Sequence, residues 1–189
     1  MKCKAALILA TTILLFSISC KQTATLHRFD DKKRISVFQL SDSSLMAVKN
    51  YLAAFSTKKI QDTIIIMYDY NHETCWNFID QNETDEKLKE RVKYIQINQE
   101  QIATSRPGIS FFEFREPGND INKIKKFDST IIIDHNLELY HFFFKERSVC
   151  GNSIVILPDG KYVFTRSDSH KEALYYSQEQ ITGLLNVKK

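Results

Sequence analysis

The chain has 189 residues, 43% of them hydrophobic, with four cysteines and a formal charge of +3. This length fits one domain, and the hydrophobic content is enough for a core, which argues against a disordered chain. Five glycines and three prolines exclude collagen and low-complexity linkers, and neither of the Gly-rich phosphate-binding patterns, GxGxxG and the P-loop, occurs.

A basic and then apolar segment comes first in the chain. Two lysines in residues 1–4 precede an apolar run over residues 5–18, the order found in a secretory signal. A small residue and then Cys20 close this run, and this ending resembles the lipobox of bacterial lipoprotein precursors. The resemblance implies a signal peptide over residues 1–19, cleavage before Cys20, acylation of that residue and stable anchoring by several acyl chains. An ordinary signal peptide or an uncleaved anchor, with an incidental Cys20, is the alternative.

The residues after Cys20 bear on location. Lys21 and Gln22 follow it, without the Asp that marks inner-membrane retention among lipoproteins, so the resemblance implies the outer membrane, facing the periplasm. Removing residues 1–19 lowers the formal charge from +3 to +1, which gives no general affinity for nucleic acid. We therefore expect the membrane and an envelope protein as partners, and no nucleic acid, cofactor or metal.

The first elements of the domain follow a polar tether over residues 20–34. Residues 35–40 predict a strand, and Ser41 or Asp42 can cap a helix whose apolar residues recur at helical spacing to about Thr57. Residues 62–70 form a continuous apolar run, typical of a strand buried on both faces.

The middle of the chain is less regular. Residues 74–91 predict a helix that is apolar early and charged late, with room for a break at Asn82. Residues 92–98 predict a third strand, and residues 99–108 a connector. Further strands are predicted over 109–114 and 129–134.

The last third of the chain carries the clearest local signal. Residues 137–144 fit helical spacing. Residues 152–157 and 161–166, with Pro158-Asp-Gly160 between them, predict an antiparallel hairpin. Ser177 and Gln180 have the spacing of a capping box, which predicts a closing helix.

Several side chains could carry chemistry. Asp69, His72, Glu73 and Cys75 follow the buried strand and include metal-ligand types, although a polar loop is the simpler interpretation. Residues 134, 135 and 141 (Asp, His and His) could also be ligands, but turn chemistry explains the first two. The chain contains no GxSxG motif.

Two cysteines, Cys75 and Cys150, remain after the first twenty residues. Export would place them where disulfides persist. They can form one bridge, stay as buried thiols or act separately. No CxxC occurs, so a zinc knuckle is not expected.

The order of the elements resembles the thioredoxin-like fold. The resemblance covers residues 35–189 and implies an α/β three-layer sandwich with central parallel strands and a C-terminal antiparallel hairpin. In that family a buried strand leads to a loop with the active cysteine at the start of a helix, as residues 62–70 lead here to Cys75. Two features depart from the family: Phe78 stands where the second redox cysteine belongs, and Asn152-Ser153 where a cis-proline belongs.

The resemblance places the loop that contains Cys150 against the start of the Cys75 helix. It therefore implies a Cys75–Cys150 disulfide or close thiol pair. Such a bridge could be structural and stabilise by about 2–4 kcal/mol, or it could be a redox pair with Cys75 as the catalytic thiol. The functional hypothesis is a lipid-anchored envelope protein with a diverged thioredoxin-like domain, with redox activity left open. A non-enzymatic binding or scaffold lipoprotein is the alternative.

Overall fold

The computed structural model describes residues 33–106, 108–118, 123–167 and 171–186. The expected signal peptide, the expected lipidation site Cys20 and most of the tether lie outside these residues. In chain order the strands are β1 (Ile35–Gln39), β2 (Thr63–Asp69), β3 (Ile109–Arg115), β4 (Ile131–Ile133), β5 (Gly151–Ile156) and β6 (Lys161–Ser167). The helices are α1 (Asp42–Ala53), α2 (Trp76–Asn82), α3 (Asp85–Ser105), α4 (Glu138–Phe142) and α5 (Gln178–Asn186), with short 3-10 helices at Lys123–Lys126 and Glu172–Tyr175.

The six strands form one mixed sheet in the order β1-β6-β5-β2-β3-β4. Strands β2, β3 and β4 run parallel, whereas β5 pairs antiparallel with β2, β6 with β5, and β1 with β6. The expectation of central parallel strands followed by an antiparallel hairpin is therefore met for this part of the sheet. The carboxyl ends of β2, β3 and β4 consequently lie at the same edge.

Helices cover both faces of the sheet. On one face, even-numbered residues of β2 such as Ile64 and Ile66 pack with Val48 and Leu52 of α1 and with Leu139 of α4. On the other face, odd-numbered residues of β2 and β5 pack with the 3-10 helix at 172–175 and with α3 and α5. Because both faces are apolar, β2 reads as a continuous hydrophobic run, and residues 64–70 are all buried.

The predicted hairpin and closing helix are confirmed. Gly160 adopts φ +79°, and its N–H donates to the Leu157 carbonyl at 3.0 Å, which closes the turn. Before α5, the Gln180 N–H donates to Ser177 Oγ at 3.1 Å and the Ser177 N–H donates to Gln180 Oε1 at 2.7 Å. These reciprocal bonds are the predicted capping box.

The expected third strand over residues 92–98 is wrong, and the connector expected over residues 99–108 is wrong as far as residue 105. Residues 92–105 belong to α3, which Thr84 caps by accepting a hydrogen bond from the Lys87 N–H at 3.4 Å. Val92 and Gln99, seven residues apart, are buried on one side, while Tyr94 is 68% exposed. The short alternation of apolar and polar residues at 92–97 imitates a strand. The stretch 85–105 contains no Gly or Pro to end the helix.

The chain does break after Asn82, where the sequence leaves room for it, and two helices replace the single predicted one. None of the helices in the described ranges is long and apolar enough to cross a bilayer.

Candidate functional site

The two cysteines lie together at the edge where β2 ends. Cys75 directly precedes α2 and Cys150 directly precedes β5, and their sulfurs are bonded at 1.98 Å although 75 residues separate them. The Tyr70 N–H donates to the Cys150 carbonyl at 2.9 Å, which ties the loop before β5 to the end of β2. Cys75 is only 6% exposed, and Cys150 is half-buried.

The loop between β2 and α2 is folded onto itself. His72 Nδ1 lies 2.8 Å from Thr74 Oγ1, and the Cys75 N–H donates to the His72 carbonyl at 3.2 Å. Thr74 Oγ1 is 3.8 Å from Cys75 Sγ. Glu73 is exposed. The loop therefore presents polar side chains around a buried sulfur.

Asp69 does not join this polar loop. It is 1% exposed and turns inward, where its Oδ2 lies 3.3 Å from Arg115 Nε. No group of three or more His, Cys, Asp or Glu in the described ranges could hold a metal ion. The candidate ligand set Asp69, His72, Glu73 and Cys75 is thus not assembled in this structure.

A buried charge cluster lies under α2. Arg115 Nη1 is 3.5 Å from Asp80 Oδ2, in addition to its contact with Asp69, and its guanidinium stacks over the Trp76 ring at 4.8 Å. Asp80 Oδ1 accepts a hydrogen bond from the Ile124 N–H at 3.1 Å. Arg115 and Asp80 side chains are at most 4% exposed. A buried arginine between two carboxylates holds α2, and with it Cys75, against the ends of β2 and β3.

Sequence reasoning missed this cluster. The pattern at 76–79 predicts an apolar buried face, but Phe78 is 55% exposed and Asp80 is buried. Two signals were available: Asp80 lies four residues after Trp76, on the same side of the helix, and Arg115 ends the largely apolar strand β3. A charge at the end of a buried strand needs a partner, and the partner here comes from a different element.

The buried charges continue along the same face of the sheet. Glu113 accepts a hydrogen bond from Gln99 Nε2 at 3.0 Å, and Lys171 Nζ lies 3.2 Å from Glu113 Oε2. The same Lys171 ammonium lies 5.9 Å from the Trp76 ring centre. These contacts join α3, β3 and the segment after β6.

The second set of candidate ligands is also explained by structure. Asp134 is fully buried and accepts hydrogen bonds from the Tyr51 hydroxyl at 3.0 Å and the Tyr68 hydroxyl at 3.1 Å. Burial and this carboxylate raise the pKa of both tyrosines well above its usual range, so they stay protonated donors. His135 and His141 are exposed. Asp134 therefore fastens α1 and the β4–α4 turn to the sheet.

The fold and the site define a mixed α/β domain with the Cys75–Cys150 disulfide at the shared carboxyl edge of its parallel strands. No protein-family model, no curated protein and no solved structure matches this chain. The chemistry of the site is accordingly argued from its own residues. The bonded pair Cys75 and Cys150 can be reduced and re-formed, or it can serve as a covalent tie.

Proposed function

We propose that this chain is a lipid-anchored protein of the outer membrane, facing the periplasm, with a diverged thioredoxin-like domain. In this proposal the Cys75–Cys150 bridge stabilises the domain, and the protein acts as a binding or scaffold component of the envelope. The observation that carries the domain part of the proposal is the bond between a cysteine directly before α2 and a cysteine directly before β5. The anchor rests on the lipobox-like ending at Cys20.

Part of the sheet supports the thioredoxin-like interpretation. Strands β3, β2, β5 and β6 are neighbours in that order, with β3 parallel to β2 and with β5 and β6 forming the antiparallel hairpin. Helix α2 follows β2 through the cysteine loop, and α5 follows the hairpin. Strands β1 and β4 extend the sheet on either side of these four.

The burial of Cys75 favours the structural role of the bridge. A thiol reductant must reach a sulfur in line with the disulfide, and Cys75 is 6% exposed. Phe78 occupies the position three residues on, where a resolving thiol would stand. A bridge between residues 75 apart also constrains the unfolded chain strongly.

Thiol–disulfide exchange is the second candidate, favoured by the half-buried Cys150. A thiolate would attack Cys150 Sγ, the bond to Cys75 Sγ would break, and Cys75 would leave as a thiolate. A second external thiolate would then attack the mixed disulfide. The net change is two external thiols oxidised to one disulfide and the bridge reduced to two thiols.

The reduction potential of the Cys75–Cys150 bridge, measured in the full chain, distinguishes the two roles. The protein is incubated in glutathione buffers of graded potential, and alkylation of free thiols then measures the fraction of molecules in which the bridge is reduced. A structural bridge should have a potential below about −300 mV, whereas a midpoint above about −230 mV would contradict the structural role. As a matched assay, the wild type should not accelerate insulin reduction by dithiothreitol beyond the Cys75→Ala variant. Acceleration that is lost in that variant would assign Cys75 to catalysis.

The anchor is tested separately. Cys20→Ala should release the protein from the membrane fraction and abolish labelling by radioactive palmitate, while Cys75→Ala should change neither. Palmitate incorporation into the Cys20→Ala variant would show that the lipid is attached elsewhere, or that the protein is anchored by another means.

A further inference from the structure

One edge of the sheet is incomplete. Strand β4 has three residues and pairs with β3 only opposite Glu113, Phe114 and Arg115. Within the described ranges, no strand lies beside residues 109–112 on that side of β3. This open segment is at the other end of β3 from the Cys75–Cys150 bridge, so it is independent of the function proposed above.

The backbone of the open segment presents its polar groups outward. The Thr63 N–H donates to the Gly108 carbonyl at 3.4 Å, which shows that the backbone N–H and C=O groups of even-numbered residues in this part of the chain point toward β2. The Asp134 N–H donates to the Arg115 carbonyl at 2.9 Å, which shows that the backbone groups of odd-numbered residues point toward the β4 side. The N–H and C=O groups of Ile109 and Phe111 therefore point to the open edge.

A groove of about 670 Å³ follows this edge. Phe111 and Phe112, which lie on opposite faces of β3, both line it, as do Ile132 of β4 and Phe55, which is 41% exposed and lies just after α1. The groove lies in line with β4 and is open for the four residues 109–112, about 13 Å of extended chain. Apolar side chains beside unpaired strand groups are what an added β-strand requires.

The loop between α1 and β2 (residues 55–61) forms one wall of the groove and is held in place before any ligand binds. Ser56 Oγ donates to the Lys58 carbonyl at 2.8 Å and accepts from the Lys58 N–H at 3.1 Å. The Gln61 N–H donates to Ser110 Oγ at 2.9 Å, which fastens this wall to β3. Little ordering of the protein is thus needed when the groove is filled.

The charge of the groove indicates what fills it. Lys58 and Lys59 line it, both are exposed, and neither forms a salt bridge with a described residue. The acidic lining residue, Glu113, is buried and already neutralised by Lys171 at 3.2 Å. The exposed charges among the lining residues are therefore positive, and they favour acidic side chains on the incoming chain.

We propose that this groove binds an extended acidic peptide segment of a partner protein, which adds as a strand to the edge of β3 at residues 109–112. Backbone groups of Ile109 and Phe111 pair with the peptide. Alternate side chains of the peptide point to opposite faces, so acidic residues at every second position can meet Lys58 and Lys59 while the others pack in the groove.

The probe for this site is the fluorescein-labelled peptide acetyl-VEVEVE-amide, and fluorescence anisotropy with the full chain gives its Kd. We expect the variant Lys58→Glu/Lys59→Glu to weaken binding about tenfold or more, because the contacts reverse sign. The matched control Lys87→Glu/Lys89→Glu makes the same charge change on exposed residues near the start of α3, at least ten residues before Gln99, the residue of α3 that lines the groove. This distance is about 15 Å or more along the helix, so the control should change Kd by less than about twofold. Equal weakening in both variants, or equal binding of acetyl-VKVKVK-amide, would overturn the proposal.

Amide hydrogen exchange then tests strand addition itself. With the acidic peptide at saturation, the Ile109 and Phe111 N–H groups should exchange about tenfold or more slowly, while those of the β1 edge should not change. Two peptides, one N-methylated at the odd and one at the even residues, each lack the backbone donors along one edge. The peptide that lacks the donors facing β3 should bind more weakly than the other. Unchanged exchange at Ile109 and Phe111 would refute the proposal, as would a dimer of this chain, seen by sedimentation, that excludes the peptide.

Discussion

Removing both cysteines of the bridge, in the variant Cys75→Ala/Cys150→Ala, should destabilise the domain strongly. The bridge closes a loop between residues 75 apart in sequence, and the chain-entropy relation for that separation corresponds to roughly 4.5 kcal/mol at 25 °C. Native bridges of small exported domains stabilise by about 2–5 kcal/mol. We therefore expect the free energy of unfolding to fall by about 4 kcal/mol, and the melting temperature by about 8–16 °C.

Urea unfolding followed by circular dichroism measures this loss, with the wild type oxidised, reduced by dithiothreitol, and reoxidised. The reduced wild type should match the double variant, and reoxidation should restore the original midpoint. Alanine is chosen because serine would place a hydroxyl at the buried Cys75 position. A difference below about 1 kcal/mol between oxidised and reduced protein would refute the structural role.

The remaining predictions concern other parts of the fold. Arg115→Met leaves two buried carboxylates without their arginine and should lower the free energy of unfolding, measured in urea, by about 3–5 kcal/mol. The control Arg91→Met, at an exposed pair, should lower it by less than about 1 kcal/mol. Equal losses would contradict the importance of the buried cluster. Burial raises the pKa of Tyr176 to about 12 from 10.0, so its stabilisation is complete below pH 10 and is lost as pH rises toward 12. In the wild type the unfolding free energy should fall with pH over that interval, because the unfolded chain loses the Tyr176 proton before the folded chain does. In Tyr176→Phe the slope against pH should be smaller by the equivalent of about one proton, and identical slopes would contradict the assignment. Gly160→Ala, at φ +79° with the Leu40 carbonyl 3.1 Å from the new Cβ, should cost about 1–2 kcal/mol. Gly183→Ala, in open space on α5, should instead stabilise by up to about 1 kcal/mol, and the same sign for both would refute the reasoning.

Local signals predicted most of the elements because their causes are local. The Pro158–Gly160 turn and the Ser177–Gln180 box act within four residues, and both form as the sequence indicates. Strand β2 is equally clear, since six of its seven residues are buried and its sequence is a continuous, largely apolar run.

The stretch over 92–105 was misassigned because short apolar patterns fit more than one period. In residues 92–97 the apolar positions suit a strand as well as a helix. The choice was decided by the cap at Thr84 and by contacts of Val92 with Ile124 and Ile131, which come from later in the chain. Tertiary contacts of that kind have no signature in a single short window.

The sequence signals for the charge cluster do not pair its members, for a related reason. Arg115, Asp69 and Asp80 come from three elements, and only the parallel register of β2 and β3 places Asp69 beside Arg115. The open edge of β3 is likewise invisible in sequence, because it depends on how short β4 is.

The state of the two cysteines in the protein as it is made tests the central claim most directly. The full chain is isolated from cells in the presence of an alkylating agent, digested without reduction and examined by mass spectrometry. We predict one cross-linked species that joins the peptides of Cys75 and Cys150, lighter by two hydrogens than their sum. Separate peptides with both thiols alkylated would contradict the bridge and every role proposed for it.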